Sequence, residues 1–250
     1  MVHCQTVPPH INHLSLNNYN RDASEKPITS KGVRHYGSDL VVILDMDECL
    51  VHSQSLLSPS AAQGYAHQQL FQKRRSSSSA GRAARADFFQ FTLPEGKRFH
   101  VRARPGLYDF LQKVCSKYET HIFTAAVQKY ADPLLDHIDP HRSLFAGRWY
   151  RDSCEFDRER RINIKNLGNL PILPQLDRAV LVDNNPLSFL ANPNNGILVS
   201  SFLGDPRDND LEKVWMLLED LDGEQDVRPK LRDMFHLEDE LQQHLELSAA

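Results

Sequence analysis

The sequence predicts an α/β fold in which helices flank a parallel sheet. Three short apolar runs have the length and composition of buried strands, and each stops at a polar residue: Asp45, Thr124 and Asp183. A run with helical periodicity, residues 105–118, directly precedes the second strand, as an alternation of helices and strands requires. Because ligands collect beyond the carboxyl ends of parallel strands, we expect the three polar residues at one site.

The first apolar run is followed by two aspartates one residue apart, Asp45 and Asp47. One carboxylate can attack phosphorus while the other transfers protons, so the pair suits phosphoryl transfer. The same pattern also caps turns in proteins without any activity. The pair alone therefore leaves both interpretations open.

The run at 105–118 has the periodicity of an amphipathic helix, and Pro105 suits its first position. A strand at 121–123 follows and ends at Thr124. The apolar residues on one face of this helix are Leu107, Phe110, Leu111, Val114, Cys115 and Tyr118. We expect that face to pack against the sheet.

The second half of the chain continues the alternation. Residues 144–164 combine short apolar pairs with polar residues and are predicted to form short strands and turns. Apolar strands are predicted at 179–183 and 196–200. A helix is predicted at 210–221, with residues 208–210 as candidate caps.

Composition narrows the function classes. A net charge of -4 and an isoelectric point near 6.3 argue against direct nucleic-acid binding. No run of about 18 apolar residues predicts a membrane span, and the N-terminus does not resemble a secretory signal or transit peptide. Cys4, Cys49, Cys115 and Cys154 are far apart, which fits a reducing compartment. Nuclear or cytoplasmic residence, as a monomer, is the default expectation.

Composition also divides the chain. We expect a polar, mobile N-terminal extension at 1–39, a core domain at 40–222 and a helical C-terminal tail at 223–250. Within the core domain, residues 58–86 are basic and serine-rich and are predicted to form a flexible insertion. This insertion is either a solvated spacer or a segment that attracts phosphorylated partners. The tail either packs on the core or binds a partner.

Several segments, in order, closely resemble the small C-terminal-domain phosphatases of the haloacid dehalogenase superfamily, which include the Dullard and nuclear-LIM-interactor-interacting-factor groups. They are residues 45–53, 123–125, 129–133, 165–167 and 182–186. The resemblance covers about 40–221, with a gap at 54–86. It implies a Rossmann-like parallel sheet of the haloacid dehalogenase type, with a small β insertion and no large cap.

The resemblance implies catalytic roles for four residues. Asp45 is the nucleophile that forms an aspartyl-phosphate. Asp47 protonates the leaving group and later deprotonates the attacking water. Thr124 and Lys165 bind the equatorial oxygens of the phosphoryl group, where charge accumulates.

The resemblance also implies a Mg2+ site. Its ligands are Asp45, the main-chain carbonyl of Asp47, and the pair Asp183 and Asn184. Oxygen ligands and several retained waters are what Mg2+ prefers. Asn184 binds the metal directly, whereas Asp183 holds either a water on the metal or the lysine.

Four further residues lie within the part of the chain that the resemblance covers. Arg104 either reaches a substrate phosphate or pairs with a carboxylate, and the second role is favoured. Cys49, Gly106 and Asn166 depart from the family pattern, in which Thr or Val, His and an acid are usual. None of these departures removes a group that the mechanism needs.

The leading hypothesis is therefore a Mg2+-dependent phosphatase of phosphoserine or phosphothreonine in a phosphoprotein substrate. The resemblance implies the C-terminal repeats of RNA polymerase II as one such substrate. A phosphatase of small metabolites is a second hypothesis, although such enzymes usually carry a larger cap. A phosphatase-like binding subunit without turnover is a third, and the complete set of site residues argues against it.

Overall fold

The computed structural model describes residues 36–56, 88–173 and 175–248. The N-terminal extension predicted at 1–39 lies outside the described residues except at its end. The insertion predicted at 58–86 lies outside them entirely. The domain boundaries therefore stay a prediction.

In the residues that the structure describes, ten strands form one large and two small sheets. In chain order they are β1 Val41–Leu44, β2 Val51–Ser55, β3 Phe88–Thr92, β4 Arg98–Ala103, β5 Glu119–Phe123, β6 Gly147–Trp149, β7 Glu155–Asp157, β8 Ile162–Ile164, β9 Ala179–Asp183 and β10 Gly196–Leu198. The large sheet is parallel and has the order β10-β9-β1-β5-β6. The small sheets are antiparallel: β2-β4-β3 and the hairpin β7-β8. The structure thus confirms the predicted fold class.

The described part of the chain also contains five α-helices. They are α1 Leu107–Lys117, α2 Gln128–Ile138, α3 Asp210–Leu221, α4 Arg228–Phe235 and α5 Leu237–Ser248. The helix predicted at 210–221 has the predicted bounds. Of the helices that the structure describes, none is long and apolar enough to cross a membrane.

The central strands are buried on both faces. Val42 and Leu44 belong to an apolar cluster that includes residues of α1, α2 and α3. Ile43, between them, belongs to a second cluster with residues of α5 and of the turns after β9. Strands of parallel sheets need cover on both faces, which explains why β1 is apolar throughout rather than alternating.

The register of the three central strands sets the position of the site. Leu44 on β1 lies beside Ile122 on β5 and beside Val182 on β9. The next residues along β1 and β9 are Asp45 and Asp183. The register therefore brings these two carboxylates to the same edge of the sheet.

The start of α1 differs from the prediction. Pro105 does not occupy the first helical position, because the helix begins at Leu107. Gly106 lies between them with a φ of 76°, a left-handed conformation that glycine adopts without steric cost. The turn that links β4 to α1 needs this conformation, and the helical periodicity did not reveal it.

The last strand is shorter than predicted. β10 ends at Leu198, whereas the sequence predicted a strand at 196–200. The amide nitrogen of Ser200 donates to Asp210 Oδ2 at 3.0 Å. Ser200 therefore binds the first turn of α3 and leaves the sheet.

The C-terminal helices pack on the core. Leu231 of α4 joins the first apolar cluster, and Leu237 and Leu241 of α5 join the second. Gly196 leaves room for this contact, because a Cβ there would lie 2.6 Å from Leu237 Cδ1 and 2.7 Å from Phe189 Cδ1. The start of α5 therefore lies directly over β10.

We expect Leu237→Ala to lower the free energy of unfolding by about 2–5 kcal/mol, because it removes buried methyl groups and leaves a cavity. Met234 on the neighbouring helix is 52% exposed, so Met234→Ala is the control, with an expected change within about 0.5 kcal/mol. Urea unfolding of both variants measures the difference. Equal losses would show that α5 does not contribute to the core.

Candidate active site

The structure brings all the predicted site residues to one cavity of about 760 Å³. The cavity lies beyond the carboxyl edge of the parallel sheet, as the topology requires. The predicted residues that line it are Asp45, Asp47, Thr124, Lys165, Asp183 and Asn184. These residues come from four separate segments of the chain, so the fold alone brings them together.

Lys165 lies between two buried carboxylates. Its ammonium nitrogen donates to Asp45 Oδ1 and, at 2.6 Å, to Asp183 Oδ2. Only 1% of Lys165 is exposed. The residue follows β8, outside the parallel sheet, and its amide nitrogen donates to Ser188 O at 3.2 Å. Lys165 thus supplies one positive charge to two carboxyl groups, Asp45 and Asp183.

The pKa values of Asp45 and Lys165 reflect their burial and their contact with each other. Burial raises the pKa of Asp45 to about 7, although Lys165 counteracts the effect. Burial also lowers the pKa of Lys165, but the attraction of Asp183 and Asp45 outweighs it and keeps the pKa above its ordinary value. Lys165 therefore stays charged, and Asp45 binds a proton more readily than an exposed aspartate does.

Asp47 has a partner that sequence reasoning did not identify. Tyr130 Oη donates to Asp47 Oδ1 at 2.7 Å. Burial raises the pKa of Asp47, although this hydrogen bond lowers it in part. Asp47 therefore holds a proton more readily than an exposed aspartate. Tyr130 lies on the first turn of α2, immediately after the loop that contains Thr124. This proximity in sequence indicated a place near the site but not the contact with Asp47.

Thr124 is buried and oriented by main-chain contacts. Its amide nitrogen donates to Trp149 O at 2.9 Å, which ties it to the end of β6. Its Oγ1 accepts from the amide nitrogen of Ala126 at 3.0 Å. The hydroxyl proton is then left to donate to an anion in the cavity.

The donor set fits a small, hard cation. Asn184 Nδ2 donates to Ser201 Oγ at 3.0 Å, which leaves Asn184 Oδ1 as an acceptor. Both oxygens of Asp183 already accept hydrogen bonds, from Asn185 N at 2.8 Å and from Lys165. Of the two roles expected for Asp183, these contacts favour the one that holds the lysine.

The number of acidic ligands also bears on the kind of metal. Within the described ranges, no group of three His, Cys, Asp or Glu side chains could hold a metal ion. Mg2+ needs only one or two carboxylates and keeps several waters. The carboxylate of Asp45 and Asn184 Oδ1 are oxygen donors of the kind that Mg2+ binds.

The rim of the cavity is basic. Lys97, Lys129 and Arg151 line it, against one rim acid, Glu95. Among the residues that the structure describes, these three cations form no ion pair, and Arg151 Nε donates to Ala125 O at 2.7 Å. Sequence reasoning did not assign these cations to the site, although the excess of basic residues around 97–104 was visible.

Arg104 does not line the cavity. It is buried, and its guanidinium pairs with Asp208 at 2.8 Å and with Asp210 at 2.9 Å. Of the two roles that the sequence left open, the structure shows carboxylate pairing. Cys49 is also fully buried, which accords with a packing role for its thiol.

A cavity that gathers a carboxylate pair, a charged lysine and a hydroxyl at the ends of parallel strands suits an enzyme of phosphoryl transfer. The chain belongs to the NLI interacting factor-like phosphatase family, whose model matches residues 40–228. The family assignment confirms the resemblance that the sequence segments indicated.

The chain is also similar to several known proteins. CTD small phosphatase-like protein 2 of Dictyostelium discoideum is 30% identical over 84% of this chain and 32% of its own length. The human CTD small phosphatase-like protein is 31% identical over 78% of this chain and 60% of its own length. Nuclear envelope morphology protein 1 of Schizosaccharomyces pombe is 29% identical over 76% of this chain and 35% of its own length. The chain thus spans less than two thirds of each relative.

A solved structure of an essential RNA polymerase II CTD phosphatase is also similar to this chain. Its TM-score is 0.48 with 22% identity, over 77% of this chain and 52% of that chain. A likeness of this degree adds no argument about the site.

We expect Lys165→Met to lower the free energy of unfolding by about 3–5 kcal/mol in metal-free protein, because it leaves two buried carboxylates without their cation. Lys129→Met is the matched control: it removes the same charge from the rim of the same cavity, where the side chain is exposed. Its expected change is within about 0.5 kcal/mol. Urea unfolding with a chelator present measures both, and equal losses would contradict the role of Lys165 in stability.

Proposed function

We propose that this protein is a Mg2+-dependent phosphatase of phosphoserine and phosphothreonine in proteins, with Asp45 as the nucleophile. One observation carries the proposal: the carboxylate of Asp45 lines a cavity and accepts a hydrogen bond from Lys165. The chain that contains this site belongs to a phosphatase family. Asp47 stands two residues away with a raised pKa and a hydrogen bond from Tyr130. Together these groups supply a nucleophile and a proton donor.

The proposed reaction has two steps. Asp45 attacks phosphorus, the bond to the ester oxygen breaks, and Asp47 gives its proton to the leaving alkoxide. Water then attacks the phosphorus of the aspartyl-phosphate, and Asp47 takes the proton. Inorganic phosphate leaves and Asp45 is restored.

The remaining residues stabilise charge. Thr124 and Lys165 would donate to the equatorial oxygens of the phosphoryl group, and one such donor is commonly worth about 10²-fold or more in rate. Mg2+, held by Asp45, Asn184 and the main-chain carbonyl of Asp47, would neutralise negative charge on the phosphoryl group. Asp183 would keep Lys165 charged and in place through the 2.6 Å hydrogen bond.

The shape of the cavity supports a large substrate. In the described part of the chain, residues of the two small sheets and of the first turn of α2 line the cavity, and its mouth is open to solvent. A phosphorylated side chain on a protein could therefore enter from solvent. The names of the relatives, which refer to a C-terminal domain, support the C-terminal repeats of RNA polymerase II as a candidate substrate. Nuclear or cytoplasmic residence goes with that proposal.

Release of phosphate from a phosphopeptide panel and a small-metabolite panel, with and without Mg2+, tests the proposal. We expect Mg2+-dependent release from phosphoserine or phosphothreonine peptides and much slower release from metabolites. Release mainly from metabolites would favour the second enzyme hypothesis. No release from either panel would favour a binding subunit.

We expect Asp45→Asn to reduce turnover by at least about a thousandfold, because an amide keeps the shape of the side chain but cannot attack phosphorus. The same substitution should not lower the midpoint of thermal unfolding, because it removes one of two buried carboxylates. Asp109→Asn on the exposed side of α1 is the control and should keep full activity. Appreciable turnover by Asp45→Asn would refute the nucleophile assignment.

We expect Lys97→Glu to lower kcat/KM for a doubly phosphorylated peptide more than for an aryl phosphate. The rim cation attracts a second anionic group, and salt screens this attraction over about 8 Å at physiological ionic strength. Arg98→Glu is the matched control, since Arg98 is exposed, adjacent and absent from the cavity lining. Kinetics at low and physiological salt measure the effect. Identical losses in the two variants would mean that the position of Lys97 on the rim has no special importance.

A further inference from the structure

Arg104 is a buried arginine with an unusually large set of partners. Only 1% of it is exposed, although arginine is rarely fully buried unless it is paired. Its Nε and Nη2 donate to the two carboxylate oxygens of Asp208, each at 2.8 Å. Its Nη2 also donates to Asp210 Oδ2 at 2.9 Å. The two acids fix the plane of the guanidinium.

Two further partners belong to loops of the active site. Arg104 Nη1 donates to Cys49 O at 2.9 Å, on the loop that contains Asp47. Arg104 Nη2 donates to Ser200 O at 3.0 Å, one residue before Ser201. Ser201 Oγ in turn accepts from Asn184 Nδ2. The guanidinium thus joins the loop of the proposed acid to the loop that orients a proposed metal ligand.

The same two loops also meet directly. Phe202 N donates to Glu48 O at 2.7 Å, and the guanidinium of Arg104 lies 5.6 Å from the centre of the Phe202 ring. The amide nitrogen of Arg104 donates to Leu50 O at 3.0 Å. Both the main chain and the side chain of Arg104 therefore hold the segment that follows Asp47.

That segment needs such support. Glu48 has a φ of 59°, in the left-handed region that residues other than glycine seldom adopt. A conformation of this kind persists only where the surrounding structure over-determines it. Arg104 lies on the side away from the cavity, and its contacts with Cys49 O and Leu50 O help to hold Glu48 in this conformation.

From these contacts we infer that Arg104 is a positioning residue, which fixes Asp47 relative to Asn184 without touching the substrate. The inference rests on the proposed function. Phosphoryl transfer depends almost entirely on positioning and charge stabilisation, so a small displacement of the acid lowers the rate of chemistry. Substrate binding at the rim does not depend on these contacts.

Arg104→Lys tests the geometry of the guanidinium separately from its charge. A lysine keeps the positive charge for Asp208, but its three donors share one nitrogen and cannot also reach Cys49 O and Ser200 O. We expect kcat for an aryl phosphate to fall by about 10²-fold, since a misplacement of about 1 Å has an effect of that size. KM should change by less than about threefold.

A core variant controls for lost stability. Val114 on α1 is fully buried and does not line the cavity, so Val114→Ala should lower the melting temperature while kcat stays within about twofold of wild type. Hydrogen exchange of metal-free protein gives a readout besides activity. In Arg104→Lys, the amides of 46–51 should exchange faster than in Val114→Ala, whereas those of β9 should not.

The outcomes separate the inference from the proposed function. Suppose that Arg104→Lys folds and matches Val114→Ala both in kcat and in the hydrogen-exchange rates of the amides of 46–51. Arg104 then has only a structural role, and the inference fails while the proposed function stands. If Arg104→Lys does not fold, Asp208→Asn decides by the same readouts, because an amide keeps the shape but has one acceptor oxygen instead of two. If wild-type protein hydrolyses no phosphate ester, the proposed function fails and the inference fails with it.

Discussion

The contact of one buried lysine with two carboxylates is the interaction on which the rest of the structure depends. The parallel sheet forces Asp45 and Asp183 to the same edge, where two buried negative charges would otherwise oppose folding. Lys165 relieves that conflict, yet it comes from outside the parallel sheet, after the small hairpin β7-β8. The position of the hairpin is therefore coupled to the charge at the centre of the site.

The parallel topology explains how a site can form from distant segments. Every strand of the large sheet points its carboxyl end to one edge, so each following loop begins near the same place. Only the first residues of each loop are fixed by the sheet. The rest of each loop needs its own contacts, and the guanidinium of Arg104 supplies them for two loops at once.

Much of this architecture could be predicted, for identifiable reasons. The strand ends at Asp45, Thr124 and Asp183 followed from apolar runs that stop at a polar residue, a pattern that depends on local sequence. The contacts of Tyr130 with Asp47 and of Arg104 with Cys49 could not be predicted in this way. They join residues 83 and 55 positions apart, and only the tertiary fold determines which side chains meet.

The absence of a side chain at Gly196 has a consequence for how this domain can be isolated. The family segment ends at 228, but Leu237 lies beyond it and fills the space over Gly196 beside Phe189. A chain shortened to the family segment would leave Phe189 and its apolar neighbours facing water. Exposed apolar surface of this kind promotes self-association, so the solubility of the family domain here depends on residues outside it.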